Sequence, residues 1–192
     1  MRNRLVLLFL GCALSAFAGP ISITITGTGS GMLGANGFTN ALITITATGD
    51  TINVGNLGGG LFVINPIPAT LDITGLGSTT FSAGPEAFVN QTANFAGLAT
   101  NSGIVILAVT NLGLSSFALA SSIGPLSGAN NLNSGLGFST AAGDFVINEI
   151  TGNGTYQATV DGAVPEPATL GFVGLGIIAF VGCRYRRTAR AA

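Results

Sequence analysis

Few residues in this 192-residue chain could act as an acid or a base in catalysis, and most of those are carboxylates. The sequence has seven Asp and Glu residues, six arginines, no lysine and no histidine. All six arginines lie at the two ends of the chain, so the body lacks histidine, lysine, arginine and cysteine. The usual general bases and the usual clamps for an oxyanion or a phosphate are therefore absent from it. A Ser-His-Asp triad cannot be built without its histidine. We predict from this inventory that the protein is not an enzyme.

The carboxylates do not form a recognisable catalytic or metal-binding pattern. Asp144 and Glu149 lie five residues apart on one predicted strand, so we expect them to point to opposite faces. A glycosidase pair would need two carboxylates flanking one bond. Asp50 and the Asn148-Glu149 pair are weak candidates for Ca²⁺, which prefers oxygen ligands, but no Asp-x-Asp-x-Asp run is present. The sequence therefore predicts no metal site and no cofactor.

The carboxyl-terminal segment combines three features in sequence order. Val164, Pro165, Glu166 and Pro167 come first, and the two prolines favour an extended backbone. An uncharged stretch, 168–183, follows; as a helix it would rise roughly 24 Å. A basic cluster comes last, formed by Arg184, Arg186, Arg187 and Arg190. This order predicts a short transmembrane helix with a cytoplasmic basic stop. On residues alone, Val164–Pro167 is either a handle for a membrane-embedded protease or a linker before a permanent anchor.

These three features together closely resemble the PEP-CTERM sorting signal. Pro165, Glu166 and Pro167 match the namesake motif, and Arg184 and the arginines after it match the basic terminus. The resemblance covers only the tail. It implies that the chain is a substrate of exosortase, a polytopic membrane protease, and is cleaved near the motif. It also implies export across the inner membrane of a Gram-negative bacterium that makes exopolysaccharide, with membrane anchoring followed by surface attachment or release.

The amino-terminal segment predicts a secretory signal peptide over residues 1–18. Arg2 and Arg4 precede an apolar run, and Ala16 and Ala18 offer the small-x-small pattern for cleavage after Ala18. A lipoprotein signal using Cys12 is the less favoured alternative. The expected organisation is thus a signal peptide (1–18), an exported β-rich domain (19–163) and the sorting tail (164–192).

Charge placement supports this topology and excludes one class of partner. All six arginines lie at the two ends, while the body contains six carboxylates and no base, a formal charge of −6. Such a body repels nucleic acid. Cys12 and Cys183 both fall in targeting segments, so the body has no disulfide.

Residues 19–163 show the pattern of an all-β domain. Segments 21–26 and 42–48 alternate between apolar residues and threonine or serine, as half-buried strands do. Further strands are expected at 52–54, 61–64, 70–74, 103–110, 115–120, 144–151 and 155–160, with a turn at 152–154. We predict a single antiparallel β-sandwich, jelly-roll-like, with a Gly-rich β-solenoid as the alternative.

The body suggests two roles in addition to sorting. A structural or interaction protein of the cell envelope or extracellular matrix fits a domain without acid–base groups. An exopolysaccharide-binding module is the alternative. Its weakness is the scarcity of the residues that usually stack on sugars, because tryptophan is absent and Tyr156, the only tyrosine of the body, is the single candidate for such a platform.

Overall fold

In the computed structural model, residues 19–161 are described, and they form an all-β domain. This part of the chain contains twelve strands and two short 3₁₀ turns, at Thr51–Asn53 and Leu112–Ser116. The strands are β1 (Pro20–Leu33), β2 (Asn36–Asp50), β3 (Gly55–Gly58), β4 (Leu61–Ile64), β5 (Ala69–Ile73), β6 (Gly77–Thr80), β7 (Glu86–Asn90), β8 (Phe95–Ala99), β9 (Val105–Thr110), β10 (Ile123–Asn131), β11 (Gly137–Thr140) and β12 (Gly143–Val160). The predicted signal peptide and transmembrane helix lie outside the described residues.

β1 and β2 form because their sequences alternate with a period of two. Ile21, Ile23 and Ile25 are at most 1 % exposed, while the serine and threonines between them reach the outer surface. β2 pairs with β1 so that Ile25 lies opposite Ile45 and the intervening threonines also face one another. β-branched residues suit both faces of such a half-buried sheet. The pairing therefore sorts isoleucine inward and hydroxyl groups outward.

The strands join into one antiparallel sheet that curls around a common core. Its order is β3-β4-β7-β8-β9-β10-β12-β1-β2-β5-β6, and β11 pairs with β12. Ile23 of β1, Leu98 of β8 and Val109 of β9 belong to one buried cluster, so the two arms of the sheet face each other. The all-β antiparallel prediction is confirmed. Instead of the predicted two-sheet sandwich, one continuous sheet encloses the core by curling.

β6 and β11 meet at one end of the curl. An antiparallel bridge joins Phe81, just after β6, to Thr140 of β11. The Ser82 amide donates to the Ser139 carbonyl, and the Ala141 amide donates to the Thr80 carbonyl, both at 2.9 Å. On the core side of this junction, the ring centroid of Phe145 lies 6.3 Å from that of Phe38 and 6.4 Å from that of Phe81. The junction therefore brings β5 and β6 around to the β11–β12 pair over an aromatic core.

Two predicted strands are wrong because side-chain capping starts 3₁₀ turns there. At 52–54 the Asp50 carboxylate accepts from the Ile52 amide at 2.9 Å, opening the turn Thr51–Asn53. At 115–120 the Asn111 side chain accepts from the Gly113 amide at 2.8 Å and opens the turn Leu112–Ser116. Asp and Asn side chains commonly bond to the backbone two residues on, and this competes with strand formation.

The predicted turn at 152–154 is also wrong, because β12 runs through it without a break. Gly152 has φ +66°, and the register of β1 against β12 shifts between Thr26 and Thr28. A Cβ on Gly154 would overlap the side-chain oxygen of Asn130 and the Thr26 carbonyl. The glycines thus allow a bulge and a close approach between neighbouring strands, and they do not reverse the chain direction.

Tyr156 is a core residue. Its exposed fraction is 0 %, and its ring packs edge-on against Phe117 at 6.1 Å. Burial raises the pKa of the Tyr156 phenol above its usual range. Its hydroxyl has no hydrogen-bond partner among the described residues. Tyr156 therefore cannot stack on a sugar, which overturns its candidacy as the aromatic platform of a glycan site.

We expect Gly97→Ala to lower the free energy of unfolding by about 1–3 kcal/mol, the usual cost of overpacking. Gly97 lies opposite Ala108 in the β8–β9 pair, and a new Cβ would overlap Ala108 and the Leu107 carbonyl. Gly37→Ala is the matched control, because the nearest atom to its added Cβ is 3.8 Å away. Denaturant unfolding would measure both variants. Equal stability of the two variants would contradict the described β8–β9 packing.

We expect Tyr156→Phe to preserve or raise stability, by up to about 1 kcal/mol, because it removes a buried hydroxyl that lacks a partner. Tyr156→Ala should instead cost about 3–5 kcal/mol through the cavity it leaves. Thermal and denaturant unfolding of the two variants would test this. A clear loss of stability in Tyr156→Phe would show that the hydroxyl is bonded after all.

Candidate functional site

Three carboxylates of the β-domain serve local structure. Asp50 caps a 3₁₀ turn, as described above. Asp144 accepts a hydrogen bond from the Ser139 hydroxyl at 3.1 Å. Glu86 accepts from the Asn65 side-chain amide at 3.3 Å. These contacts stabilise turns and strand ends. They give each of the three carboxylates a structural role.

The surroundings of Glu86 affect its titration. Partial burial raises the pKa of Glu86, and the hydrogen bond from Asn65 partly offsets the rise. It lies at the start of β7. A raised pKa alone does not make an acid–base site, because a reaction would need a second group placed across a substrate.

Asp144 and Glu149 point to the same face of β12, contrary to the prediction of opposite faces. Ser30 pairs with Glu149 and Gly31 pairs with Ile147, so Asn148 is an extra residue in a bulge. The bulge changes the alternation and turns Glu149 outward, to the side of Asp144. With four ordinary strand steps between them, the two residues are roughly 13 Å apart. Glycosidase pairs are about 5–9.5 Å apart, so the two do not form one.

No group of three or more His, Cys, Asp or Glu residues that could hold a metal ion occurs within residues 19–161. Asp50 is engaged with the backbone of its own turn. Asn148 and Glu149 lie exposed at the β12 bulge. The two weak calcium candidates from the sequence are therefore not brought together.

Two open clefts flank the segment that follows β6, and they share Phe81 and Gly84. Cleft 1, of about 430 Å³, lies over β2, β5 and β6. Its lining includes Thr46, Thr48, Thr70, Thr80, Pro66 and Pro68. Cleft 2, of about 410 Å³, has Asn101, Ser102, Phe138 and Ser139 in its lining. Both are open to solvent, so a ligand in either would stay partly exposed.

The clefts are lined by hydroxyl, amide and apolar groups, with no charged residue in either. Such a lining can donate and accept hydrogen bonds and can cover an apolar face of a ligand. It offers no group for proton transfer at neutral pH. The arrangement therefore suits binding of an uncharged, hydroxyl-rich ligand.

Sequence reasoning missed cleft 1 because its floor depends on long-range pairing. Thr46 lies opposite Thr70, and Thr70 lies opposite Thr80. A local signal was available, since Thr46 and Thr48 alternate with buried residues and must face outward. Nothing local could place them beside Pro66 and Pro68.

The residues predicted to direct sorting lie outside the described part of the chain. They are Ala16, Ala18, Val164, Pro165, Glu166, Pro167, Arg184, Arg186, Arg187 and Arg190. Within residues 19–161, no helix is long and apolar enough to cross a membrane. The anchoring role of the tail therefore stays a prediction from its sequence.

Comparison with known proteins bears on the tail alone. No curated protein and no solved structure was found to match the chain. A family model described as the PEP-CTERM protein-sorting motif matches residues 163–187, which include the Pro-Glu-Pro triplet, the apolar stretch and the first arginines. The motif indicates a sorting substrate of exosortase, and it implies export and membrane-associated sorting to the cell surface. By this match, the chain carries a PEP-CTERM protein-sorting tail.

Proposed function

We propose that this chain is an exported structural or interaction protein of the cell envelope or extracellular matrix. Exosortase would cleave its tail at the Pro-Glu-Pro triplet, and the β-domain would then be attached to the surface or released. The match of residues 163–187 to the sorting motif carries this proposal. Gram-negative export through the inner membrane follows from the same resemblance.

The β-domain supports a non-enzymatic role. Its carboxylates are dispersed or engaged in turns, and its two clefts contain no charged side chain. The outer face of its sheet carries a set of hydroxyl groups. We infer that the domain acts by contact and binding, without a cofactor or a metal.

An exopolysaccharide-binding module is the second candidate, and cleft 1 favours it. The cleft combines four threonine side chains with two proline rings, so hydrogen-bonding groups lie beside an apolar wall. Sugars present the same mixture, hydroxyl groups around an apolar ring face. The proposed partners are therefore exosortase, the membrane before processing, and a neutral component of the exopolysaccharide.

Replacing Pro165, Glu166 and Pro167 by alanine should block processing in cells that carry an exosortase. Proline restricts its own backbone and that of the residue before it, so the sequence predicts an extended triplet. The substitution removes both prolines and the carboxylate that the protease would read. We expect the variant to keep its arginine-rich end and to stay in the membrane fraction. Intact mass and cell fractionation measure both effects.

Asp161→Ala is the matched control for the triplet variant. It removes an exposed carboxylate four residues upstream of Pro165 and leaves the motif intact. The control should be processed like the unmodified protein. Identical mass and location for the triplet variant and the unmodified protein would remove the proposed sorting role of the triplet.

A further inference from the structure

The outer face of the sheet carries hydroxyl side chains in register across neighbouring strands. Three rows cross the strands and together define the hydroxyl grid. The first row is Thr159, Ser22 and Thr48; the second is Gln157, Thr24, Thr46, Thr70 and Thr80; the third is Ser127, Thr155, Thr26, Thr44, Asp72 and Ser78. Twelve of these fourteen side chains are Thr or Ser.

The spacing of the grid is set by the sheet. Adjacent strands lie about 4.8 Å apart, and alternate residues of one strand lie about 6.7 Å apart. Threonine is β-branched, so its hydroxyl has few orientations and little rotational entropy to lose on binding. Two hydroxyls of the grid already contact each other, since the oxygens of Thr26 and Thr155 are 2.6 Å apart. The grid is thus a preorganised array of donors and acceptors.

The grid has almost no charge. Asp72 is its single ionisable carboxylate, and residues 19–161 contain no lysine or arginine. Strand propensity accounts for threonine in these strands, yet exposed sheet faces usually also carry lysine and glutamate for solubility. A polyanion would be repelled by the six carboxylates of the domain. The charge pattern therefore disfavours a polyanion, and a grid with a single carboxylate offers a polycation almost no ion pairs.

The second row of the grid leads into cleft 1. Thr46, Thr70 and Thr80 belong both to the row and to the cleft lining. Pro66 and Pro68 form the wall on one side and are exposed. Pro68 lies beside Thr48 of the first row, because the Thr48 amide donates to the Pro68 carbonyl at 3.1 Å. A ligand that bonds along the second row would therefore have an apolar surface at its side.

The curvature of the sheet decides what kind of neutral partner fits. The rows run across strands that curl around the core, so the grid lies on a curved outer surface. A rigid flat lattice would contact only a few strands of it. A linear chain can follow the curve, and the strand spacing is comparable to the length of one sugar ring in an extended polysaccharide.

We propose that the hydroxyl grid and cleft 1 form one binding track for a neutral polysaccharide chain. The chain runs across the strands along the second row, with its hydroxyls bonded to Thr24, Thr46 and Thr70. One ring rests against Pro66 and Pro68. This proposal rests on the exopolysaccharide-binding candidate described above and assigns it a surface and a ligand class.

The test uses the full-length chain in mild detergent and affinity electrophoresis in gels containing hydroxyethyl cellulose, a soluble neutral glucan. Gels with alginate, a polyanion, show the dependence on charge. In Thr46→Val/Thr70→Val the β-branched shape stays and two adjacent hydroxyls are lost. Since a hydrogen bond contributes about 0.5–1.5 kcal/mol net, we expect the apparent Kd to rise roughly tenfold.

Thr39→Val/Thr74→Val is the matched control. Both threonines are exposed and lie outside the three rows. It should bind hydroxyethyl cellulose like the unmodified protein, and circular dichroism and thermal unfolding should show the same fold for both double variants. Retention by the neutral glucan, weak retention by alginate and loss in the grid variant alone would support the proposal.

Four outcomes would overturn it. Equal binding by the grid variant would remove the track and leave glycan binding elsewhere on the domain. Absence of binding to the neutral glucan, or stronger retention by alginate, would remove the track and the neutral-glycan candidate together, while the sorting role stands on its own test. Inhibition of ice recrystallisation that depends on Thr46 and Thr70, without glucan binding, would assign the grid to a flat lattice. Self-association lost in the grid variant, again without glucan binding, would assign it to a second copy.

Discussion

The pairing of β1 with β2 on one side and β12 on the other is the interaction on which the rest of the structure depends. These pairings place Ile25 between Ile45 and Tyr156 on the inner face. Each fully buried isoleucine contributes about 1.5–3 kcal/mol by leaving water. Because side chains alternate between faces, a slip of one residue would expose every isoleucine of the strand. Burial of the apolar set therefore fixes the register.

The same register produces the outer surface. Once the isoleucines face inward, the threonines between them must face outward and align with those of the neighbouring strands. The stabilising pattern and the candidate binding surface are thus two consequences of one alternation. The proposed binding face consequently needs no separate loop or strained backbone, and it can be as rigid as the sheet. Because residues 19–161 contain no cysteine, no disulfide contributes to the order of this domain.

Sequence reasoning succeeded where the pattern is local and strict. The alternation in 21–26 and 42–48 predicted β1 and β2 correctly. It failed where a side chain caps a turn or a glycine has a non-local role. The Asn111 cap opens a turn that overlaps the segment 115–120 predicted as a strand, and Gly154 admits Asn130 instead of reversing the chain.

The larger errors concern pairings between distant segments. A curled single sheet and a sandwich have the same alternation along each strand, so the sequence does not distinguish them. Tyr156 was a candidate to stack on a sugar because tyrosine is a residue type that often does so. Its strand partners Ile25 and Leu126 place its side chain inside the core. Cleft 1 needed the β2–β5–β6 register, which no local window contains. The tail, in contrast, could be interpreted directly because its motif is contiguous in sequence.

The register of β1 against β12 can be measured most directly with paired cysteines in the full-length chain, after Cys12 and Cys183 are replaced by serine. Thr26→Cys/Thr155→Cys should oxidise readily to a disulfide, because the two threonine oxygens are 2.6 Å apart across the strands. Thr26→Cys/Gln157→Cys, on the same face but two residues along, should keep its free thiols under the same conditions. Free-thiol labelling that shows the second pair oxidised and the first pair reduced would contradict the register, and with it both the core and the hydroxyl grid.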